Sequence, residues 1–107
     1  MFHWLLRHFG PLRRSSGKQQ EVDAETQNLI LYHLPLCGYC LHVRQTLWRL
    51  NLNVELRNTQ DPQWGQELRR EGGRSQVPCL RIDHPDRAEW MYESADIIRF
   101  LKRSYGR

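Results

Sequence analysis

Two cysteines separated by two residues, Cys37-Gly38-Tyr39-Cys40, stand where a short apolar run gives way to a helical pattern. The run Leu29-Ile30-Leu31-Tyr32 has the apolar and aromatic content of a buried strand. Pro35 breaks the chain, and helical spacing begins after the first cysteine. A cysteine at a helix N-terminus lies beside unpaired backbone N–H groups and the positive end of the helix dipole. Both favour the thiolate, which is the reactive form. The second cysteine falls almost one turn later on the same face, within reach of the first. This spacing is that of a dithiol redox site, with Cys37 as nucleophile and the more buried Cys40 as resolving thiol. The alternative is a pair of structural cysteines facing the core.

A chain of 107 residues is expected to form one domain with one modest core. No apolar run approaches the ~18 residues of a membrane-spanning helix. Three cysteines are an odd number, which argues against a secreted disulfide framework and for a reducing, cytoplasmic setting. The net charge of +4 is unevenly placed: residues 1–20 carry Arg7, Arg13, Arg14 and Lys18 and no acid. Of the 16 basic residues, twelve remain beyond them, balanced by 12 acids. The basic character therefore belongs to a tail, and no basic stripe with interleaved aromatics suggests a nucleic-acid partner.

Along the chain, residues 13–28 read as a polar linker, and a domain is expected over residues 29–107. Cys40, Val43, Leu47 and Leu50 recur at three- and four-residue spacing, an amphipathic helix that Asn51 ends. Asn53–Arg57 alternates as a second strand. Asp61-Pro62 opens a helix with a thin apolar face, Trp64 and Leu68, and Gly72-Gly73 stops it. Val77–Ile82 and Glu89–Tyr92 form a hairpin across the turn at residues 83–86. Ser94 is expected to cap a last helix whose inner face carries Ile97, Ile98, Leu101 and Tyr105. The order β-α-β-α-β-β-α, with a right-handed crossover between the first two strands, predicts an α/β fold: a four-stranded mixed sheet with helices on both faces.

That order, with Leu31-Tyr32 before the cysteine pair, Arg74-Ser75-Gln76-Val77-Pro78 and Tyr92-Glu93-Ser94-Ala95-Asp96-Ile97, resembles the glutaredoxins of the thioredoxin superfamily over residues 29–107. The chain departs from that pattern at Gly38, where dithiol glutaredoxins commonly carry proline, and at Leu34, where a lysine is common. Glu93-Ser94 resembles instead the Glu/Gln-Ser of the N-terminal domain of glutathione S-transferases. No all-helical second domain follows, so a complete transferase is not expected.

The resemblance implies a glutathione-dependent thiol–disulfide oxidoreductase. Glutathione would be its cofactor and disulfide-containing proteins its partners, and the chain would be monomeric. It implies a cis Pro78 against Cys37, with the Val77 backbone offered to substrate. Tyr39, Gln76, Val77, Pro78, Glu93 and Ser94 then form the glutathione or substrate site, with Arg74 a further candidate for the groove. Ser94 would present its hydroxyl and N–H to a carboxylate; its competing role is helix capping alone. Cys79 reads as a small buried hydrophobe. A zinc site lacks a second ligand pair. Two other functions stay open: a dimer around a [2Fe–2S] cluster held by Cys37 and glutathione, and a non-catalytic glutathione- or partner-binding module.

Phe2, Leu5, Leu6, Phe9 and Leu12 fall at helical spacing opposite His3, Arg7 and His8. Residues 1–12 thus read either as a short basic amphipathic stretch, in weak contact with an anionic membrane surface or docked on a partner, or as a frayed terminus. No small-residue cleavage site marks a signal peptide.

Overall fold

The computed structural model describes residues 10–106. Four strands, β1 (Leu29–His33), β2 (Glu55–Asn58), β3 (Cys79–Asp83) and β4 (Ala88–Met91), form one sheet in the order β2-β1-β3-β4. β1 runs parallel to β2 and antiparallel to β3, and β3 pairs antiparallel with β4. The helices are α1 (Ser16–Thr26), α2 (Gly38–Arg49), α3 (Pro62–Glu67) and α4 (Ser94–Tyr105), and a π-helical turn, Leu68–Gly72, extends α3. The expected α/β architecture and element order are therefore present, with one helix more than the sequence suggested.

That helix is α1. The stretch expected as a polar linker is helical, started by Ser15, whose hydroxyl accepts from the Lys18 N–H at 3.2 Å. Val22 and Thr26 are buried, and Val22 joins the main core. The packed body thus begins before Leu29. Outside α1, the Leu12 N–H donates to the Arg49 carbonyl at 2.7 Å, so the chain touches the end of α2 well ahead of the first strand. The expectation for residues 1–12 falls mostly outside the described residues.

Strand alternation divides the core. Leu29, Leu31, Leu80 and Ile82 point to the face covered by α2 and α4, where Val43, Leu47, Ile97 and Leu101 meet them. Ile30, Tyr32 and Cys79 point to the other face, beneath Leu68 of the π-helical turn. Each fully buried Leu or Ile side chain contributes about 1.5–3 kcal/mol of transfer free energy. Leu68 is fully buried, so the thin apolar face of α3 ends in one deep anchor. Gly72 lets this turn lie against β4, since a Cβ there would come 2.8 Å from Trp90 Cε3. Gly73, at φ 90°, ends the turn in the left-handed region. Asn51, at φ 54°, does the same after α2, a conformation asparagine tolerates better than most residues.

The second face also carries a polar cluster that the sequence did not reveal. The Tyr32 hydroxyl donates to Glu67, and the same carboxylate accepts from Arg57. Arg81 lies 3.7 Å from it. Both guanidinium groups also reach the Tyr32 oxygen, at 3.2 Å from Arg57 and 3.5 Å from Arg81. Arg57 stacks 4.1 Å from the Trp64 ring and Arg81 5.3 Å from the Trp90 ring. The side chains of Arg57, Glu67 and Arg81 are mostly shielded from solvent.

Candidate active site

Sheet register places the site. Tyr32 pairs with Cys79, and Leu80 pairs with Met91. The end of β1, the start of β3 and the end of β4 therefore share one end of the sheet. Cys37, Pro78 and Glu93-Ser94 follow or precede those strand ends and lie at that end together. The Val77–Pro78 bond is cis, as the resemblance implied.

Cys37 is the N-cap of α2, with extended backbone at φ −78° and ψ 124°. Its carbonyl accepts the first helical bond from the Leu41 N–H at 2.9 Å. Its Sγ accepts from the Cys40 N–H at 3.4 Å. That backbone hydrogen bond is the main reason the Cys37 thiol titrates below the ordinary range; partial burial opposes it, and the Cys40 thiol and Tyr39 N–H add to it. Cys37 remains partly open to solvent.

Cys40 has the opposite environment. It is fully buried, and its Sγ accepts only a long bond, 3.5 Å, from the Leu34 N–H. Burial pushes its thiol up to about 11. Cys79 is also fully buried and is pushed up to about 12 by burial, against a hydrogen bond with the Tyr92 hydroxyl. Three chemically identical side chains are thus set apart, the Cys37 thiol shifted down and the Cys40 and Cys79 thiols shifted up.

The other candidates differ in exposure. Tyr39 and Gln76 are exposed, Val77 is half-buried and Pro78 is buried. Glu93 is exposed and takes the N-cap position of α4, at φ −84° and ψ 127°, with no side-chain capping bond. Ser94 is the first helical residue, so the expectation that Ser94 caps the helix is corrected by one position. Among the described residues no hydrogen bond engages its hydroxyl. Glu93 lines an open depression of about 520 Å³ with Arg74, Trp90, Tyr92 and Asp96. Arg74 lies 5.2 Å from the Tyr92 ring centroid, and its carbonyl accepts from the Tyr92 hydroxyl at 3.5 Å. Tyr92, which the sequence reading used only as a landmark, thus holds the Arg74 segment.

His33 was also missed. It is buried at the end of β1, and its Nδ1 has no hydrogen-bond partner among the described residues. Burial first, and then the Arg44 charge, lowers its pKa, so the ring is neutral near pH 7. Among the described residues no group of three or more His, Cys, Asp or Glu is placed to hold a metal ion. No described helix is long and apolar enough to cross a membrane.

Comparison with known proteins follows the same lines. The family model of the glutathione S-transferase N-terminal domain matches residues 31–107. No curated protein sequence matches the chain. Among solved structures, a maleylacetoacetate isomerase from Anaeromyxobacter dehalogenans 2CP-1, crystallised with GSH in its active site, is 24% identical with a TM-score of 0.58; the match covers 76% of this chain and 39% of that one. Glutathione transferase E6 from Drosophila melanogaster is 28% identical with a TM-score of 0.56, over 72% of this chain and 34% of its own. Glutathione transferase Omega 1C from Trametes versicolor is 14% identical with a TM-score of 0.63, over 74% and 37%. The chain spans well under half the length of these proteins. The likeness is thus to glutathione transferases rather than specifically to glutaredoxins. With its thioredoxin-like sheet, the chain belongs to the glutathione S-transferase N-terminal domain family.

Proposed function

We propose that the protein catalyses glutathione-dependent thiol–disulfide exchange, with Cys37 as nucleophile and Cys40 as resolving thiol. The carrying observation is the contrast between the two: an accessible, hydrogen-bonded Cys37 favoured as thiolate and a buried Cys40 favoured as thiol. The Cys37 thiolate attacks the glutathione sulfur of a protein mixed disulfide. A Cys37–glutathione disulfide forms, and the protein leaves as thiolate and takes up a proton. A second glutathione thiolate then attacks the bound glutathione sulfur, giving glutathione disulfide and restoring the Cys37 thiolate. Where the incoming disulfide is within a protein, Cys40 loses its proton, attacks Cys37 and releases the substrate as dithiol. Two glutathione molecules then reduce the Cys37–Cys40 disulfide.

Family membership and the glutathione bound to the isomerase neighbour support glutathione as the co-substrate. Ser94 offers a hydroxyl and the first N–H of a 12-residue helix to a carboxylate. The thiol chemistry fits a reducing, cytoplasmic setting.

Because its thiol is shifted down while those of Cys40 and Cys79 are shifted up, Cys37 holds the largest thiolate fraction of the three as pH falls below the ordinary thiol range. At pH 6 iodoacetamide is expected to label Cys37 at least about tenfold faster than Cys40 or Cys79. Peptide mapping of the alkylated protein reads this, and equal labelling of all three would overturn the assignment. Ser94→Ala is expected to raise the KM for glutathione about tenfold or more, the value of one charge-assisted hydrogen bond. Its melting temperature should stay unchanged, because the hydroxyl makes no capping bond. A fall in stability with unaltered glutathione kinetics would make Ser94 purely structural.

A further inference from the structure

The outer face of α2 carries a stripe that neither the core nor the thiol chemistry uses. Cys37, Leu41, Arg44 and Trp48 recur at three- and four-residue spacing, so they lie along one side of the helix. The core-facing side belongs to Cys40, Val43 and Leu47. Leu41 is 48% exposed and Trp48 57% exposed. Beside them β2, an edge strand, exposes 44% of Leu56. Leu41, Arg44, Trp48, Leu52, Val54 and Leu56 line a groove of about 380 Å³ between the helix and this strand. Leu36, at 98%, and Tyr39, at 70%, extend the apolar exposure to the reactive cysteine itself. From thiol to Trp48 the stripe is about 16 Å long.

The groove holds one charge, Arg44. No carboxylate pairs with it among the described residues. The groups it acts on, His33 and Cys40, are neutral and supply no counter-charge. Glu55, the nearest acid on β2, is engaged by Arg57. An apolar channel with a single unanswered cation is complementary to an apolar segment that carries an anion.

We propose that this groove docks the segment flanking the disulfide of a protein substrate, an apolar stretch with a carboxylate that meets Arg44 about 10 Å from the reacting sulfur. The inference rests on the exchange reading for its substrate but on the groove for its recognition. It makes the protein selective among mixed disulfides by their surroundings, because the contact lies outside the glutathione moiety.

Two peptides of about 16 residues test this, each with one cysteine, two leucines and, about three residues from the cysteine in an extended segment, either glutamate or lysine. With serine in place of cysteine and a fluorescent label, they report docking by anisotropy without any thiol chemistry. Glutathionylated, they report turnover, with the glutathione–cysteamine mixed disulfide as a small control. The wild type is expected to bind the glutamate peptide about fivefold tighter than the lysine peptide, the scale of one exposed ion pair. Arg44→Glu should reverse that order. Trp48→Asp should weaken glutamate-peptide binding about tenfold by removing an aromatic anchor. Neither variant should change turnover of the small disulfide by more than about twofold. Equal binding of both peptides, or an order that Arg44→Glu leaves intact, overturns the docking site while small-disulfide turnover continues. Absence of small-disulfide turnover with the peptide order intact overturns the exchange reading and leaves the docking surface standing.

Discussion

Cys37→Ser is expected to reduce exchange with the glutathione–cysteamine mixed disulfide by at least about a thousandfold, to the uncatalysed rate, because no other thiol can take its place. Cys40 and Cys79 are both fully buried, and burial holds both as thiols. Cys40→Ser should instead keep activity on this small disulfide, where a second glutathione does the resolving. It should lose activity on intramolecular protein disulfides and trap the substrate on Cys37. A glutathione reductase-coupled assay separates the two variants. The assignment fails if Cys37→Ser retains more than about a tenth of wild-type turnover, or if Cys40→Ser is as inactive as Cys37→Ser. The same substitution also tests the hydrogen bond that sets Cys37 apart, because the Cys40 backbone N–H survives in Cys40→Ser and should keep Cys37 reactive at pH 6.

Glu67→Ala is expected to be the most damaging single change outside the thiols and the apolar core. The Glu67 carboxylate accepts from Tyr32 and Arg57 and lies beside Arg81. Its removal leaves two mostly shielded guanidinium groups beside one phenol, Arg57 keeping only the more exposed Glu55 and Arg81 keeping Asp83 at 2.8 Å. Breaking a fully buried pair by removing one partner costs about 3–5 kcal/mol. These side chains keep some solvent contact and both guanidinium groups keep a second carboxylate, so about 1–2 kcal/mol is the expected loss, a fall in melting temperature of roughly 5–15 °C. Glu67→Gln keeps the packing and one acceptor and should lose less than the alanine variant. Thermal unfolding of the pair checks this, and equal melting temperatures for wild type and Glu67→Ala would show that the carboxylate contributes nothing net. Iodoacetamide labelling of Cys37 should stay unchanged in either variant, since the cluster lies on the face away from α2.

The pieces legible from the sequence were those whose signal is local. The cysteine pair after a strand, the α2 periodicity, the Asp61-Pro62 start and the hairpin around residues 83–86 each sit within a few neighbouring residues. α1 was not legible because it turns almost no apolar surface inward. Val22 is its one aliphatic core contact, and the rest of the helix has the composition of a linker. Ser94 was misplaced by one residue because Ser and Glu stand side by side, and backbone extension at Glu93 rather than side-chain preference fixed the cap. The Glu67 cluster joins residues from β1, β2, β3 and α3, and no periodicity reports a charge shared across four elements. One clue was available: Tyr32 and Arg57 are direct neighbours across β1 and β2. Reading it required the register, which only the folded sheet supplies.

The two ends of the described chain are fastened to each other. The Arg14 guanidinium donates to the Tyr105 carbonyl at 2.6 Å, a cation on the last turn of α4 joining positions 91 residues apart. Gln19 donates to the Asn51 carbonyl at 3.1 Å, and Leu12 to Arg49. All three fastenings sit at the carboxyl ends of α2 and α4, whereas Cys37 and Ser94 sit at their amino ends. Mechanical tension applied between the two ends therefore falls first on this clasp, and the strand ladders carry load only after it opens. Whatever is joined to the chain at either end tugs on the side of the molecule away from the reactive sulfur. Cys37 and Ser94 are separated from these fastenings by the length of a helix each.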